Sequence, residues 1–299
     1  MGAGEIAALA CALAWACAVI LFKKVGSVLP AFHLNLFKNV FGSLAFLLTL
    51  LVLGRGRLEG FDFSAQEWAL LVVSGVVGIT IADGMLLRCL DLLGAGRMAV
   101  VDCLYTPCMM LATAVILQED LRPQHFVGVI LIVAAVLVAG LETDKESARS
   151  KQILGVWLGV GSMILMAVCI VMVRPIMRED HSNVVALISF RLWVSSIAGF
   201  LWLLFRGRLG ELRIFRTRLP WRDLLLGSFL GAYLGMALWV FGFALSPDET
   251  VVAAILNQSS VLFIIVLAVL FLGENLTLRK TVGAVLGIAG IVVTLASGN

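Results

Sequence analysis

The chain has 299 residues, of which 61% are hydrophobic and only 14% charged, and its mean hydropathy is +1.07. A soluble globular domain carries about 25% charged residues, so this composition excludes a protein that folds freely in water. The net charge of +3 is too small and too dispersed along the chain to indicate a nucleic-acid partner.

Long apolar segments follow one another along the whole chain. A helix that crosses the hydrocarbon needs about 20 mostly apolar residues, and its backbone polar groups must be satisfied within the helix. Ten segments fit this description, and we therefore predict an all-α integral membrane protein that lies in a lipid bilayer. The predicted spans are 5–22, 32–53, 68–87, 98–117, 123–141, 153–173, 183–205, 224–245, 250–272 and 278–296.

The second half of the chain repeats the pattern of the first. The segment LQEDLRPQHFVG begins at Leu117, and LGENLTLRKTVG begins at Leu272, 155 residues later. An offset of 153 pairs Lys38 with Arg191. Each half has five spans, an odd number, so the second half must insert upside down, which gives the inverted repeats of many secondary transporters. The predicted halves and their polar linker are 1–141, 153–299 and 142–152.

Several features have a fixed order along these spans. Trp15 lies in the middle of the first span, Lys38 and Arg191 lie in the second and seventh, Pro107 lies in the fourth, and the LQEDL and LGENL turns end the fourth and ninth. In this ordered set the chain resembles the EamA-like family of the drug/metabolite transporter superfamily over nearly its whole length. The resemblance implies ten spans in two repeats and a small-molecule substrate. The first copy departs from the family pattern because it has Lys where Arg is usual.

Polar residues inside the spans are the candidate site. An ionisable group in the hydrocarbon is costly, so it usually faces the bundle interior and has a function. Asp102 and Tyr105 share one face of the fourth span, and the repeat places Asn257 and Ser260 at the matching positions of the ninth. We predict that these stripes line a central cavity and that Asp102 is the coupling residue. The predicted cavity residues are Asp102, Tyr105, Asn257, Ser260, Asp83, Lys38, Arg191 and Trp15.

Structural roles compete with these functional ones. Asp102 could pair with Lys38 or Arg191 to lock helices together, and Asp83 could pair with Arg88 or Lys38. Lys38 and Arg191 could instead extend to the lipid headgroups along their aliphatic stems.

Three further polar residues have simpler interpretations. His33 is expected at the membrane interface, because it lies near the start of the second span. Glu119 and Glu274 are expected to cap the helices that follow them, since a carboxylate stabilises a helix N-terminus.

The sequence lacks the motifs that an enzyme of the membrane would need. The sequence contains no Walker motif, no His-Glu-x-x-His and no Gly-x-Ser-x-Gly, so we expect no enzyme, catalytic residue, metal or cofactor. The six cysteines lie in or beside apolar runs and are interpreted as small core residues. A passive scaffold is disfavoured because paired charges recur inside the spans.

The predicted activity is secondary active transport by alternating access. The expected substrate is an amino acid or a related small polar metabolite, moved with a coupling ion such as a proton or against a counter-substrate. The alternative is a multidrug or cation exporter, which is disfavoured because the middle of the first span, ALAWACAV, lacks a carboxylate. We expect a multi-pass protein of a bacterial inner membrane that is a monomer or homodimer and binds no nucleic acid.

Charge asymmetry gives a testable prediction of orientation. Fifteen Lys and Arg lie on the side of the loops that follow the odd-numbered spans, here called the basic side, and five lie on the other. The positive-inside rule then places both termini outside the cytoplasm, whereas the family resemblance implies cytoplasmic termini. We predict the outside orientation: a phosphatase fused after Asn299 should be active, and a fluorescent protein there dark. The reverse pattern would show that the family orientation holds.

Overall fold

The computed structural model describes residues 3–52, 63–118, 123–140, 149–179, 184–244, 256 and 258–296. In this part of the chain ten helical spans follow one another, and a short 3₁₀ helix, Leu209–Arg216, precedes the eighth. The spans are α1 Ala3–Gly26, α2 Ala31–Val52, α3 Ala65–Leu93, α4 Ala95–Ile116, α5 Pro123–Gly140, α6 Arg149–Glu179, α7 Val184–Phe205, α8 221–244, α9 Ser260–Leu272 and α10 Leu278–Ala296. Six of them, α1–α4, α6 and α7, are individually long and apolar enough to cross a membrane.

These spans agree with the sequence prediction except near some ends. Helix α6 begins at Arg149, four residues before the predicted span, and buries Gln152 in doing so. Helix α3 begins at Ala65 because Ser64 and Glu67 form a capping box. The Ser64 backbone N–H donates to the Glu67 carboxylate at 2.7 Å, and the Glu67 N–H donates to the Ser64 hydroxyl at 3.3 Å. The first turn of the helix is thereby satisfied without water.

Two spans contain a π-helical stretch at matching places of the repeat. The stretch in α3 is Ser74–Ala82, and the stretch in α8 is Phe229–Leu234. Their first residues are 155 positions apart, which is the offset of the sequence repeat. A π turn rotates the residues that follow it around the helix axis, and such turns are frequent at functional sites. In α3 the first residue after the stretch is Asp83.

Helices α4 and α9 are both interrupted near the level of the candidate site. In α4 the chain forms a tighter turn, in which the Cys103 N–H donates to the Val100 carbonyl at 3.2 Å. Pro107 explains this break, since it has no N–H and its ring crowds the carbonyl of Cys103. The Ser259 N–H likewise donates to the Leu256 carbonyl at 3.1 Å, although α9 has no proline there. The predicted span 98–117 thus corresponds to one span, Ala95–Ile116, that contains the turn at Cys103, whereas residues 250–255 of the predicted span 250–272 lie outside the described residues.

Helix contacts follow the symmetry of the repeat. Helix α1 packs against α8 and α9, and its counterpart α6 packs against α3 and α4. Helices α2 and α7 pair with each other, as do α5 and α10. The hydroxyls of Ser43 on α2 and Ser196 on α7, which are 153 residues apart, lie 3.3 Å apart. A pseudo-twofold axis therefore passes between α2 and α7, as expected for two inverted five-helix repeats.

The turns after α4 and α9 have the same backbone geometry. Gly273 follows α9 with φ +66°, and Gln118, 155 residues earlier, has φ +57°. Gln118 is the one non-glycine residue with positive φ in the described ranges. Inverted copies of one supersecondary unit explain why a glutamine adopts a conformation that favours glycine. The six cysteines are free and are buried or half-buried, as predicted.

Close packing of α5 against α10 gives a prediction about stability. A methyl group on Gly283 would lie 2.6 Å from the Ala139 Cβ and 3.1 Å from the Ala135 carbonyl oxygen. Gly283→Leu should therefore force the helices apart and lower the amount of folded protein several-fold, because small residues allow this approach. The matched control is Val285→Leu, two residues away on the 61% exposed lipid-facing side. Normal yield with changed substrate preference in Gly283→Leu would contradict this packing role.

Candidate functional site

A buried ion pair joins α2 to α3. The Lys38 Nζ lies 2.5 Å from Asp83 Oδ2, and it also donates to Asn39 Oδ1 at 3.0 Å. The side chains of Lys38 and Asp83 are only 8% and 17% exposed. Of the partners considered for Asp83, Lys38 is the one observed, whereas Arg88 lies 3.7 Å from Asp91 at the surface. Lys38 thus faces the bundle interior and does not extend to the headgroups.

Uncharged polar side chains extend this pair across three helices. The Asn39 amide donates to Ser195 Oγ at 2.9 Å, and Thr80 Oγ1 donates to the same oxygen at 2.9 Å. The Asn35 amide donates to the Thr80 carbonyl at 2.9 Å. The predicted cavity residues did not include Asn35, Asn39 and Ser195. The signal was present in α2, where Asn35, Asn39 and Ser43 follow one another at spacings of four and form a polar stripe.

Arg191 occupies the place on α7 that Lys38 occupies on α2. Only 7% of Arg191 is exposed, and its Nε donates to Ser74 Oγ at 3.0 Å, at the first residue of the α3 π stretch. It lies within electrostatic range of Asp83 and Tyr105. The guanidinium therefore points into the bundle between the halves and, like Lys38, does not reach the headgroups.

Asp102 lies immediately before the break in α4. Its carboxylate is within hydrogen-bonding reach of the Trp15 indole on α1, and it interacts electrostatically with Tyr105. Lys38 is engaged by Asp83, so the structural pair of Asp102 with Lys38 is not observed. Ser260, at the start of α9, is buried, whereas its predicted neighbour Asn257 lies outside the described residues.

The interior polar groups thus form two regions of opposite character. The first is the Asp102 carboxylate, which has the Trp15 indole within hydrogen-bonding reach and Tyr105 within electrostatic range. The second is the Arg191 guanidinium, whose Nε donates to the neutral Ser74 hydroxyl. A carboxylate suits a cationic group, and a guanidinium suits a carboxylate. The lining of a central cavity by these groups remains a prediction.

The basic side is closed by a contact between the two halves. Glu274, in the turn between α9 and α10, accepts hydrogen bonds from the backbone N–H groups of Ala95 at 2.6 Å and Gly96 at 3.2 Å. Lys280 Nζ donates to the same carboxylate at 3.2 Å. The expectation that Glu274 caps the following helix is therefore wrong, because the left-handed turn at Gly273 directs it to the N-terminus of α4. Glu119, its counterpart, lies outside the described residues.

Helix α1 is tied to the same closed end. Lys23 Nζ donates to the carbonyl oxygens of Leu90 at 3.0 Å and Asp91 at 2.9 Å, which are the last acceptors of α3. A cation at a helix C-terminus is stabilising. On the basic side, the ends of α1, α3 and α4 and the α9–α10 turn are thus joined by charged hydrogen bonds.

Comparison with known proteins agrees with this architecture. The model of the EamA-like transporter family matches residues 2–141 and 153–296, which is most of the chain. The chain belongs to the EamA-like transporter family. It is thus a multi-pass membrane transporter and not an enzyme.

Individual relatives and structures add further likenesses. The chain is 31% identical over 142 residues to an S-adenosylmethionine uptake transporter of Rickettsia bellii, covering 46% of this chain and 45% of that protein. It is 35% identical over 115 residues to the transporter of the same description in Rickettsia felis, covering 38% and 36%. The matched stretches thus span less than half the length of these relatives. One solved crystal structure superposes with a TM-score of 0.65 over 98% of this chain and 95% of its own, at 17% identity, which shows a shared fold.

The Lys38–Asp83 pair gives a prediction about stability. Lys38→Met should destabilise the protein by about 3–5 kcal/mol, because it leaves a buried carboxylate without a partner. The double variant Lys38→Met with Asp83→Asn should recover at least half of that loss, measured as the free energy of unfolding in mixed micelles. Arg88→Gln is the control, because exposed ion pairs contribute about 0–1 kcal/mol. Equal small effects of Lys38→Met and Arg88→Gln would contradict the burial of this pair.

Proposed function

We propose that this chain is a secondary active transporter of a small zwitterionic metabolite that carries an additional organic cation. The leading candidate is S-adenosylmethionine, which has an amino-acid head, a sulfonium and an adenine ring. The observation that carries the proposal is the presence inside the bundle of both a carboxylate, Asp102, which contacts Trp15, and a guanidinium, Arg191. The description of the two Rickettsia relatives as S-adenosylmethionine uptake transporters supports the same substrate class.

Each part of such a substrate has a suitable group in the interior. The sulfonium would lie near Asp102 against the faces of Trp15 and Tyr105, where cation–π attraction adds to charge attraction. The substrate carboxylate would accept hydrogen bonds from Arg191, whose fork matches a carboxylate. Asn39, Thr80 and Ser195 would supply further polar contacts. A plain hydrophobic cation has no carboxylate to accept hydrogen bonds from Arg191, which favours a zwitterion over the alternative substrate, a drug-like cation.

Energy would come from exchange or from an ion gradient. Asp102 is the coupling group in this proposal, because it can bind a substrate cation or a proton and its counterpart in the repeat, Asn257, cannot titrate. We place the protein in a bacterial inner membrane, as a monomer or homodimer.

Counterflow in liposomes tests the substrate class. Protein is reconstituted into liposomes loaded with unlabelled S-adenosylmethionine, and uptake of labelled S-adenosylmethionine from outside is followed. Methionine, adenosine, S-adenosylhomocysteine and tetraphenylphosphonium are the competitors. We expect uptake only into loaded liposomes, with S-adenosylhomocysteine, which lacks the positive sulfur, competing more weakly than S-adenosylmethionine. Transport of tetraphenylphosphonium without transport of S-adenosylmethionine would favour the cation exporter instead.

Substitution of Asp102 tests the coupling role. Asp102→Asn keeps the shape and the contact with Trp15 but removes the charge. It should fold and reach the membrane, yet lower gradient-driven uptake at least tenfold, since the loss of one buried charge contact exceeds about 1.4 kcal/mol. The control is Asp91→Asn, which removes a carboxylate from the same half of the chain but near the C-terminal end of α3. This variant should transport normally. Unchanged rate and pH dependence in Asp102→Asn would make Asp83 the next candidate.

The Glu274 contact predicts how the basic side opens. In alternating access this side must separate the α9–α10 turn from α4, which breaks the hydrogen bonds of Glu274. Glu274→Gln weakens them, so the side should open more often. The measurement uses Cys103, a fully buried residue beside Asp102, as the one retained cysteine. An impermeant maleimide added to the basic side should label it several-fold faster in Glu274→Gln.

A capping carboxylate on the opposite side provides the control. Glu67 caps α3 in the described structure but contacts only its own helix end. Glu67→Gln should leave the labelling rate of Cys103 unchanged. Equal acceleration by both substitutions would indicate general loosening of the protein and would contradict a specific closure by Glu274.

A further inference from the structure

The segment between α7 and α8 has an unusual choice of basic residues. Six arginines and no lysine lie between residues 206 and 222, and all six are exposed. They are Arg206, Arg208, Arg213, Arg216, Arg218 and Arg222. Guanidinium groups bind phosphate through two parallel hydrogen bonds, which an ammonium cannot do. The choice of arginine over lysine therefore favours a ligand with a phosphate group over one that is attracted by positive charge alone.

The one carboxylate within the 3₁₀ helix is already engaged. Arg208 Nε donates to Glu211 Oε1 at 2.5 Å, and Glu211 Oε2 lies 3.4 Å from Nε2 of the buried His33. Within the described part of the chain, Arg213 and Arg216 have no carboxylate within salt-bridge distance. These two guanidinium groups are thus available to a ligand. His33 lies at the interface as predicted, but it is buried under this helix.

The opposite face of the 3₁₀ helix is fixed to the protein. Ile214 and Phe215 pack against the main hydrophobic core, and the Phe215 ring lies 5.8 Å from that of Phe37. Trp221, at the start of α8, lies 5.8 Å from the same Phe37 ring. With its apolar face held in this way, the helix presents its arginines outwards on a rigid support.

Flanking aromatic residues place this segment at the depth of the headgroups. Trp202 is 52% exposed and Phe205 83% exposed at the end of α7, and the Arg206 guanidinium lies 4.7 Å from the Trp202 ring centroid. Exposed tryptophans at helix ends mark the membrane–water interface. The nearest phosphates to these arginines are therefore those of the lipids themselves.

A depression on the arginine face has room for a headgroup. Its volume is about 410 Å³, and it opens to the outside. It is lined by Leu209, Gly210, Leu212, Arg213 and Arg216. This lining combines apolar side chains with two guanidinium groups, which suits the boundary between glycerol and phosphate in a phospholipid.

We propose that the segment 206–222 is a binding surface for an anionic phospholipid, with Arg213 and Arg216 holding the headgroup phosphate. The lipid anchors the 3₁₀ helix to the bilayer on the basic side, next to the start of α8. This surface is separate from the interior site of the proposed transport function, so either can fail without the other.

Native mass spectrometry of the full chain in mild detergent tests the proposal. Phosphatidylglycerol and phosphatidylcholine are titrated separately, and bound lipids are counted. We expect phosphatidylglycerol to bind preferentially, and R213Q/R216Q to weaken that binding roughly thirtyfold, as expected for two basic residues at an anionic headgroup. The matched control is R149Q/K151Q, which removes the same charge from exposed residues at the start of α6 on the same side. The control should bind phosphatidylglycerol normally.

Two results would overturn the proposal. One is equal loss of phosphatidylglycerol binding in R213Q/R216Q and R149Q/K151Q, which would mean that net charge alone matters. The other is equal binding of both lipids to the unmodified protein. If R213Q/R216Q does not fold, R213K/R216K decides, since it keeps the charge and removes the guanidinium fork. Weaker phosphatidylglycerol binding by R213K/R216K supports the phosphate contact, and unchanged affinity contradicts it.

Discussion

Contacts between buried polar groups across the boundary between the two halves determine how the repeats fit together. Inside the hydrocarbon a polar side chain without a partner is costly, so it bonds either to its own helix or to a polar group on another helix. The hydroxyls of Ser43 and Ser196 meet on the pseudo-twofold axis, and on either side of it Lys38 and Arg191 point inwards from α2 and α7. These contacts fix the register of α2 against α7 and, through it, the relation between the repeats.

The site arises because the two copies have diverged around this shared frame. Lys38 is neutralised by Asp83, whereas the position that matches Asp83 at the repeat offset is Leu238, and Arg191 bonds a neutral serine instead. One half thus contains a closed ion pair, and in the other the cation is hydrogen-bonded to a neutral serine. The sequence places a carboxylate at Asp102 and an amide at its counterpart in the same way. In the proposed function, inverted symmetry supplies the framework for movement, and these departures from symmetry supply the polarity that a zwitterion requires.

Hydropathy and internal repetition were sufficient to predict ten spans and two inverted halves, because the bilayer imposes these features on the sequence. They left open whether Lys38 and Arg191 face the interior or the headgroups. Which carboxylate would pair with Lys38 was not predictable. Lys38 contacts Asp83 and not Asp102, and Asp83 directly follows the π stretch of α3, which changes the direction of the residues after it around the helix axis. Glu274 bonds the N-terminus of α4, 179 residues earlier in the chain, and no local pattern indicates so distant a cap. Pro107 could have signalled the break in α4, but no proline or other local pattern signals the matching turn before α9.

We propose that the two halves move about the α2–α7 contact while the basic side opens and closes during transport. Distances between spin labels measure this motion, with one label pair at Arg88 and Leu276 across the basic side and another at Leu48 and Leu201 beside the axis; all four residues are exposed. We expect at least two distances for the first pair in the unmodified protein and one narrow distance for the second. A single narrow distance for both pairs, or a broad distribution for the pair beside the axis, would contradict this motion.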